Sequence, residues 1–209
     1  MHNPGEYTMH ALILVDIQND FMPGGALAVP DADAILAPIH REMHTFDLVI
    51  ATQDWHPADH GSFASQHSGV QPFETGELHG LPQVFWPDHC VQWTGGACIA
   101  PGLDTRPVER VFPKGTDKDI DSYSGFYDNG HRKATGLTEW LRQRGVTKVT
   151  LAGLATDYCV KATALDAVKD GFQTTVWLEA CRGIFPNVGS EAATLSELRN
   201  AGIQLAGGA

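Results

Sequence analysis

Cys159 stands in the segment Gly153-Leu154-Ala155-Thr156-Asp157-Tyr158-Cys159, where an apolar run gives way to a helical pattern. A cysteine at a helix start is a candidate nucleophile, because backbone N–H groups and the positive end of the helix dipole favour its thiolate. The same N–H groups can face an oxyanion. Asp16 closes the apolar run Ala11-Leu12-Ile13-Leu14-Val15, and Lys114 follows Val108-Glu109-Arg110-Val111-Phe112-Pro113. An aspartate, a lysine and a thiol brought together form a proton-transfer unit: the lysine keeps the acid ionised and the acid takes the thiol proton. A second set, Asp54-Trp55-His56 with His60 and His89, carries nitrogen and oxygen donors suited to Zn, Mn or Fe(II). In an extended segment Asp-x-His places both side chains on one side. Each residue alone also fits a plainer reading. Cys159 can be a buried packing thiol, Asp16 a turn or capping acid, and Lys114 an exposed lysine. The histidines can be polar loop residues without a metal, since the chain has 10 of them.

Short apolar runs alternating with helical periodicity supply the elements that would bring these residues together. The runs at 11–16, 47–53, 108–113, 147–153, 173–178 and 203–206 read as strands, and continuous rather than alternating apolarity marks strands buried on both faces. Helical patterns fall at 33–45, 133–144, 158–170 and 188–201. In the first, Ile35, Leu36, Ile39 and Met43 form one stripe, and Pro38 makes the first turn irregular. This alternation predicts an α/β fold: right-handed crossovers and a doubly wound, mostly parallel six-stranded sheet with helices on both faces. Ligands bind outside the carboxyl ends of such strands. Asp16, Asp54, Lys114 and the stretch from Ala155 to Cys159 all follow strand ends. Residues 55–107 are rich in Gly, Pro and His, hold Trp55, Trp86 and Trp93, and show little periodicity. Within one domain spanning 1–209, a tract of that length reads as an ordered active-site excursion.

Bulk properties narrow the function classes. The 209 residues are 43% hydrophobic and 19% charged, with a formal net charge of -11. Such an acidic surface argues against nucleic acid and against anionic membrane as partners. No apolar run reaches the roughly 18–20 residues of a membrane span. Residues 1–10 are polar and lack a signal-peptide core, and Met9 is an alternative start. Cys90, Cys98, Cys159 and Cys181 lack CxxC spacing, so a reducing cytoplasm with free thiols is expected, the other three cysteines simply packing. The loop after the first run is neither GxGxxG nor a P-loop, which speaks against nucleotide binding.

Five motifs then occur in order: Val15-Asp16-Ile17-Gln18-Asn19-Asp20-Phe21, Gln53-Asp54-Trp55-His56, Trp86-Pro87-Asp88-His89-Cys90, Pro113-Lys114-Gly115 and Gly153-Leu154-Ala155-Thr156-Asp157-Tyr158-Cys159-Val160. Together they resemble the nicotinamidase/pyrazinamidase family of the isochorismatase-like cysteine hydrolases, over about residues 10–205. The resemblance implies the isochorismatase-like hydrolase fold and a cytoplasmic amidohydrolase, a monomer or homodimer. It would convert nicotinamide to nicotinate and ammonia through a Cys159 thioester, accept pyrazinamide as well, and serve NAD salvage. It implies Asp16, Lys114 and Cys159 as the triad, and the N–H groups of Ala155 and Cys159 as the oxyanion hole. Asp54, His56 and His89 would hold one divalent metal ion (Zn, Fe or Mn). His60 matches a further ligand found in some members, where a water or Ser62 serves in others. Phe21, Trp86 and Tyr123 match the aromatic walls of a pocket for a small pyridine carboxamide, and Leu154–Ala155 matches a cis peptide. Two other readings remain open at this point. One is another amide or carbamoyl hydrolase of the superfamily, which shares the Asp, Lys and Cys without needing the metal motif. The other is a non-catalytic metal-binding or redox-sensing protein with Cys159 as sensor.

Overall fold

Residues 8–207 are described in the computed structural model, so the polar N-terminal stretch lies outside them up to residue 7. Ala11 to Val15 are all fully buried, as an unalternating apolar run requires when both faces of its sheet are covered. They belong to β1 (Met9–Val15). The chain continues through α1 (Leu36–Glu42), β2 (Leu48–Asp54), a hairpin of β3 (Thr75–Leu78) and β4 (Leu81–Val84), and β5 (Val108–Lys114). Then come α2 (Leu137–Gln143), β6 (Val146–Leu154), α3 (Lys161–Lys169), β7 (Gln173–Arg182), α4 (Ser190–Asn200) and β8 (Gln204–Ala206).

Six strands form one sheet in the order β5-β2-β1-β6-β7-β8, and every neighbouring pair is parallel. The chain winds outward from β1 in one direction and then restarts at β6 on the other side of β1. The strand ends of β1 and β6 therefore flank the topological switch point, where parallel sheets open a crevice. Alternate residues of β1 feed opposite faces. Ala11, Ile13 and Val15 pack with Leu137 and Leu141 of α2, Ala164 of α3 and Leu198 of α4. Leu12 and Leu14 pack with Ile35, Ile39, Met43 and with Trp86, Ala97 and Ala100 of the excursion. The excursion thus shares the covering of that face with α1.

Several boundaries differ from the sequence expectation. The segment 33–45 is only partly α-helical: 3-10 turns at Ala32–Ile35 and Met43–Thr45 flank α1, with Pro38 in its first turn, where a missing N–H costs no hydrogen bond. Ile35, Ile39 and Met43 are buried as expected. α2 begins four residues later than the pattern at 133–144, because Gly136 adopts φ 91 and the chain before it is held in tight turns by Asp128, whose Oδ1 accepts the Gly130 and Arg132 N–H groups. β7 runs on to Arg182, past the expected end at 178. The β3–β4 hairpin carried no period-2 signal, since its strands are short and mostly outside the core. Among the described residues no helix is long and apolar enough to cross a membrane.

Candidate active site and metal site

Lys114 is the centre of the arrangement. It ends β5 opposite Asp54 at the end of β2, and it is only 2% exposed. Its Nζ lies 2.9 Å from Asp16 Oδ2 and donates to Asp54 Oδ1. It also donates to the Ser122 carbonyl at 2.9 Å and to Cys159 Sγ at 3.3 Å. One buried ammonium thus touches both acids and the thiol, which removes the reading of Lys114 as an exposed lysine. Asp16 follows β1 with φ 49, a left-handed conformation that aspartate tolerates better than most residues. Its Oδ1 accepts the Thr52 hydroxyl at 2.7 Å.

Burial would lower the Lys114 pKa, but Asp16 and then Asp54 override it and hold the ammonium above its ordinary value. Burial raises the Asp16 carboxyl, against the pull of Lys114 and with the push of Asp54. Burial also raises the Cys159 thiol well above its usual range, again against Lys114, with Asp16 and Asp54 adding to the rise. Burial therefore works against the thiolate that a helix-start position favours. Cys159 lies in a single π-helical turn, Thr156–Val160, ahead of α3, where burial first and then the two carboxylates raise its thiol. The thiol rests protonated beside a carboxylate that has become more basic, which is the starting point for transfer between them. Thr52→Val would remove the hydroxyl that orients and stabilises ionised Asp16. A hydrogen bond to a charged group is worth about 1.5–3 kcal/mol, so kcat should fall roughly tenfold or more with KM nearly unchanged in steady-state assays.

The turn that carries Cys159 depends on close packing. Gly153 has φ +131, and a Cβ there would collide with the Val15 carbonyl; only glycine lets β6 pass β1 that closely. The Leu154–Ala155 peptide is cis, as the resemblance implied. Thr163 Oγ1 donates to the Cys159 carbonyl at 2.6 Å, and Asp157 accepts the Ile184 and Phe185 N–H groups at 3.0 and 2.8 Å.

On the other side of Asp54 the ligand atoms of Asp54, His56 and His89 lie within 4.8 Å of one another, all buried. His56 Nδ1 contacts the Gly115 carbonyl and His89 Nδ1 the Pro87 carbonyl, both at 2.8 Å. A carbonyl can only accept, so each Nδ1 carries a proton and each Nε2 is turned toward Asp54 Oδ2, the usual support of a metal-ligating histidine. His60 Nδ1 pairs with Ser62 Oγ at 2.7 Å, while its Nε2 is buried without a hydrogen-bond partner. Burial, followed by the charge of His56, pushes both His60 and His89 down to about 4, so both rings are neutral near pH 7. Burial would raise Asp54, but Lys114, then His56 and His89, hold it below the ordinary carboxylate range. An ionised carboxylate, imidazoles held through their Nδ1–H groups and an orphaned buried nitrogen fit a divalent metal ion.

Cys159 and His89 line a common cavity. Phe21, Trp86 and Tyr123 line it, together with Ala155 and Asp54. The Trp86, Tyr123 and Tyr158 rings meet edge to face at 4.9–6.3 Å between centroids. Leu27, Val29, Tyr158, Ile184 and Asp121 also line the cavity and carried no signal in the sequence. Thr52 carried a weak one, as a hydroxyl inside an apolar strand. Cys90 and Cys181 are buried as expected, and burial pushes the Cys181 thiol up to about 12. Cys98 does not pack: it is exposed, because the tract around it lies over the sheet rather than inside it.

The chain is similar to known proteins over nearly its whole length. The profile of the Isochorismatase domain matches residues 10–207. A nicotinamidase of Escherichia coli (strain K12) is 49% identical over 199 residues, covering 93% of both chains. An Acinetobacter baumanii nicotinamidase/pyrazinamidase structure superposes with a TM-score of 0.92 at 45% identity, covering 96% of this chain and 97% of the other. The pyrazinamidase of Pyrococcus horikoshii, solved in complex with zinc, gives 0.75 at 38% identity, covering 94% and 97%. With the profile spanning nearly its whole length and a relative at that identity, this chain belongs to the isochorismatase domain family, in its nicotinamidase/pyrazinamidase branch.

Proposed function

We propose that this chain hydrolyses nicotinamide to nicotinate and ammonia, with Cys159 as nucleophile, Asp16 as proton carrier and Lys114 as the ammonium that balances the buried acids. The observation that carries the proposal is the Lys114 ammonium in contact with Asp16, Asp54 and Cys159 Sγ, two of which, Asp54 and Cys159, line a cavity walled by aromatic rings. The cavity suits a single flat ring. Pyrazinamide, which differs by one ring nitrogen, suits it equally.

In this mechanism Asp16 takes the thiol proton as Sγ attacks the carboxamide carbon. The Ala155 and Cys159 N–H groups hold the developing oxyanion, a term worth about 10²–10³ in rate for one donor. Asp16 returns the proton to the departing ammonia, leaving a thioester on Cys159. Asp16 next takes a proton from water as its oxygen attacks the thioester carbonyl. The C–S bond breaks, nicotinate leaves and Sγ regains its proton. Asp54, His56 and His89, joined by His60, would hold a divalent ion, whose Lewis acidity toward the ring nitrogen would orient the substrate. The dependence on a reduced thiol suits a reducing compartment, the cytoplasm.

Ammonia release from nicotinamide by the purified protein, before and after chelator treatment, tests the proposal. Release that chelation abolishes and added Zn²⁺ or Mn²⁺ restores is expected. No release with metal and thiols intact would move the substrate elsewhere in the superfamily. His56→Ala should lower bound metal and raise KM by roughly ten- to a hundredfold, measured by metal analysis and steady-state kinetics on the same preparation.

A further inference from the structure

Asp121 is a buried acid that neither the proposed triad nor the Asp54, His56 and His89 set uses. It is 3% exposed and lines the cavity beside Trp86 and His89. Its carboxylate is steadied by uncharged donors. Oδ1 accepts the Ser122 N–H at 2.8 Å, and Oδ2 accepts Gln83 Nε2, from β4, at 2.9 Å. A carboxylate oxygen has about two acceptor positions, so both oxygens keep one.

Three observations aim this acid at the metal site. The ligand atoms of His56, His60 and Asp121 lie within 4.8 Å of one another, and all three residues are buried. His56 Nδ1 is committed to the Gly115 carbonyl, so His56 offers the same atom, Nε2, to this group and to the Asp54 group; the two groups are halves of one site. His60 Nε2 is fully buried with no partner, and a buried polar atom left so in a native protein points to a ligand. Charge gives the physical reason. Asp54, the carboxylate of the first half, is already paired with the Lys114 ammonium, so it offsets a buried dication only in part. A buried charge needs its own counter-charge, and Asp121 supplies one not spent on a lysine or arginine.

We infer that Asp121 is the second carboxylate of the metal site, acting with His60 on the ion held by Asp54, His56 and His89 and setting how tightly that ion is bound. This rests on the proposal that the cluster holds a divalent ion. The test reads metal binding rather than turnover. Metal-free wild type, Asp121→Asn, Asp121→Glu and Gln83→Ala are titrated with Zn²⁺ and Mn²⁺ against a chromophoric chelator, with thermal unfolding as a check on folding. Asp121→Asn should bind Zn²⁺ about ten- to a hundredfold more weakly. Gln83→Ala, which removes the clamp but keeps the charge, should weaken Zn²⁺ binding less than Asp121→Asn does. Asp121→Glu, which keeps the charge but displaces it, should fall between these two, and it decides the matter by itself if the asparagine variant does not fold. Unchanged Zn²⁺ affinity in the Asp121 variants overturns the inference and leaves the proposed activity standing. A wild type that binds neither ion overturns both.

Discussion

Cys159→Ala is expected to lower nicotinamide hydrolysis by about 10⁵–10⁶-fold, the scale seen when the nucleophile of a cooperating catalytic unit is removed. The bound metal should be unchanged. The loss is this large because nothing nearby can replace the thiol. Asp16 and Lys114 are committed to one another, and the residual rate would come from binding and the oxyanion amides alone. The metal measurement separates two arrangements. Asp16, Asp54 and Cys159 also bring donor atoms within 4.8 Å of one another, so a thiolate-bound ion is a formal alternative. The Lys114 ammonium stands among those three side chains and would repel a cation there. A variant that loses its metal along with its activity would favour the thiolate-bound ion. A variant that turns over near the wild-type rate would end the covalent route.

The catalytic edge was legible because it is made by strand ends. An apolar run ending in Asp16, another in Asp54 and a third in Lys114 fix three of the reacting side chains once the sheet is parallel, and the register that places Asp54 opposite Lys114 follows. What the pattern lacked was burial. Helix-start position pointed to a resting thiolate at Cys159, whereas desolvation and two carboxylates keep the proton on sulfur. The excursion was recognisable as ordered from its tryptophans, but not its β3–β4 hairpin, because strands of four residues with little buried surface leave no period. Asp121 was invisible for a related reason. It lies in a polar stretch that reads as a solvated loop, and only the fold turns it inward beside Gln83.

Lys114→Met should destabilise the metal-free protein by about 3–5 kcal/mol near neutral pH, the usual cost of removing one partner from a buried ion pair. The size of the effect should depend on pH in a definite direction. In the wild type, burial alone would raise Asp54, and it is Lys114 first, then His56, that brings its pKa below the ordinary value. Lys114 likewise opposes the burial-driven rise at Asp16. Without the ammonium, desolvation and mutual repulsion dominate: Asp54 moves above its unfolded value near 3.9, and Asp16, already raised, moves further up. A carboxyl whose folded pKa is raised destabilises the fold above that pKa, and the penalty disappears as pH falls toward the unfolded value. The stability gap between wild type and Lys114→Met should therefore be widest at pH 7–8 and narrow as the pH is lowered, a change that urea titrations at neutral and mildly acidic pH would read directly. Catalysis should fall with it, since Asp16 would then hold a proton where the mechanism needs an ionised carboxylate. A gap that stays constant with pH would mean that Lys114 contributes packing of its four-carbon stem rather than charge, and its place between Asp16, Asp54 and Cys159 would have to be explained without electrostatics.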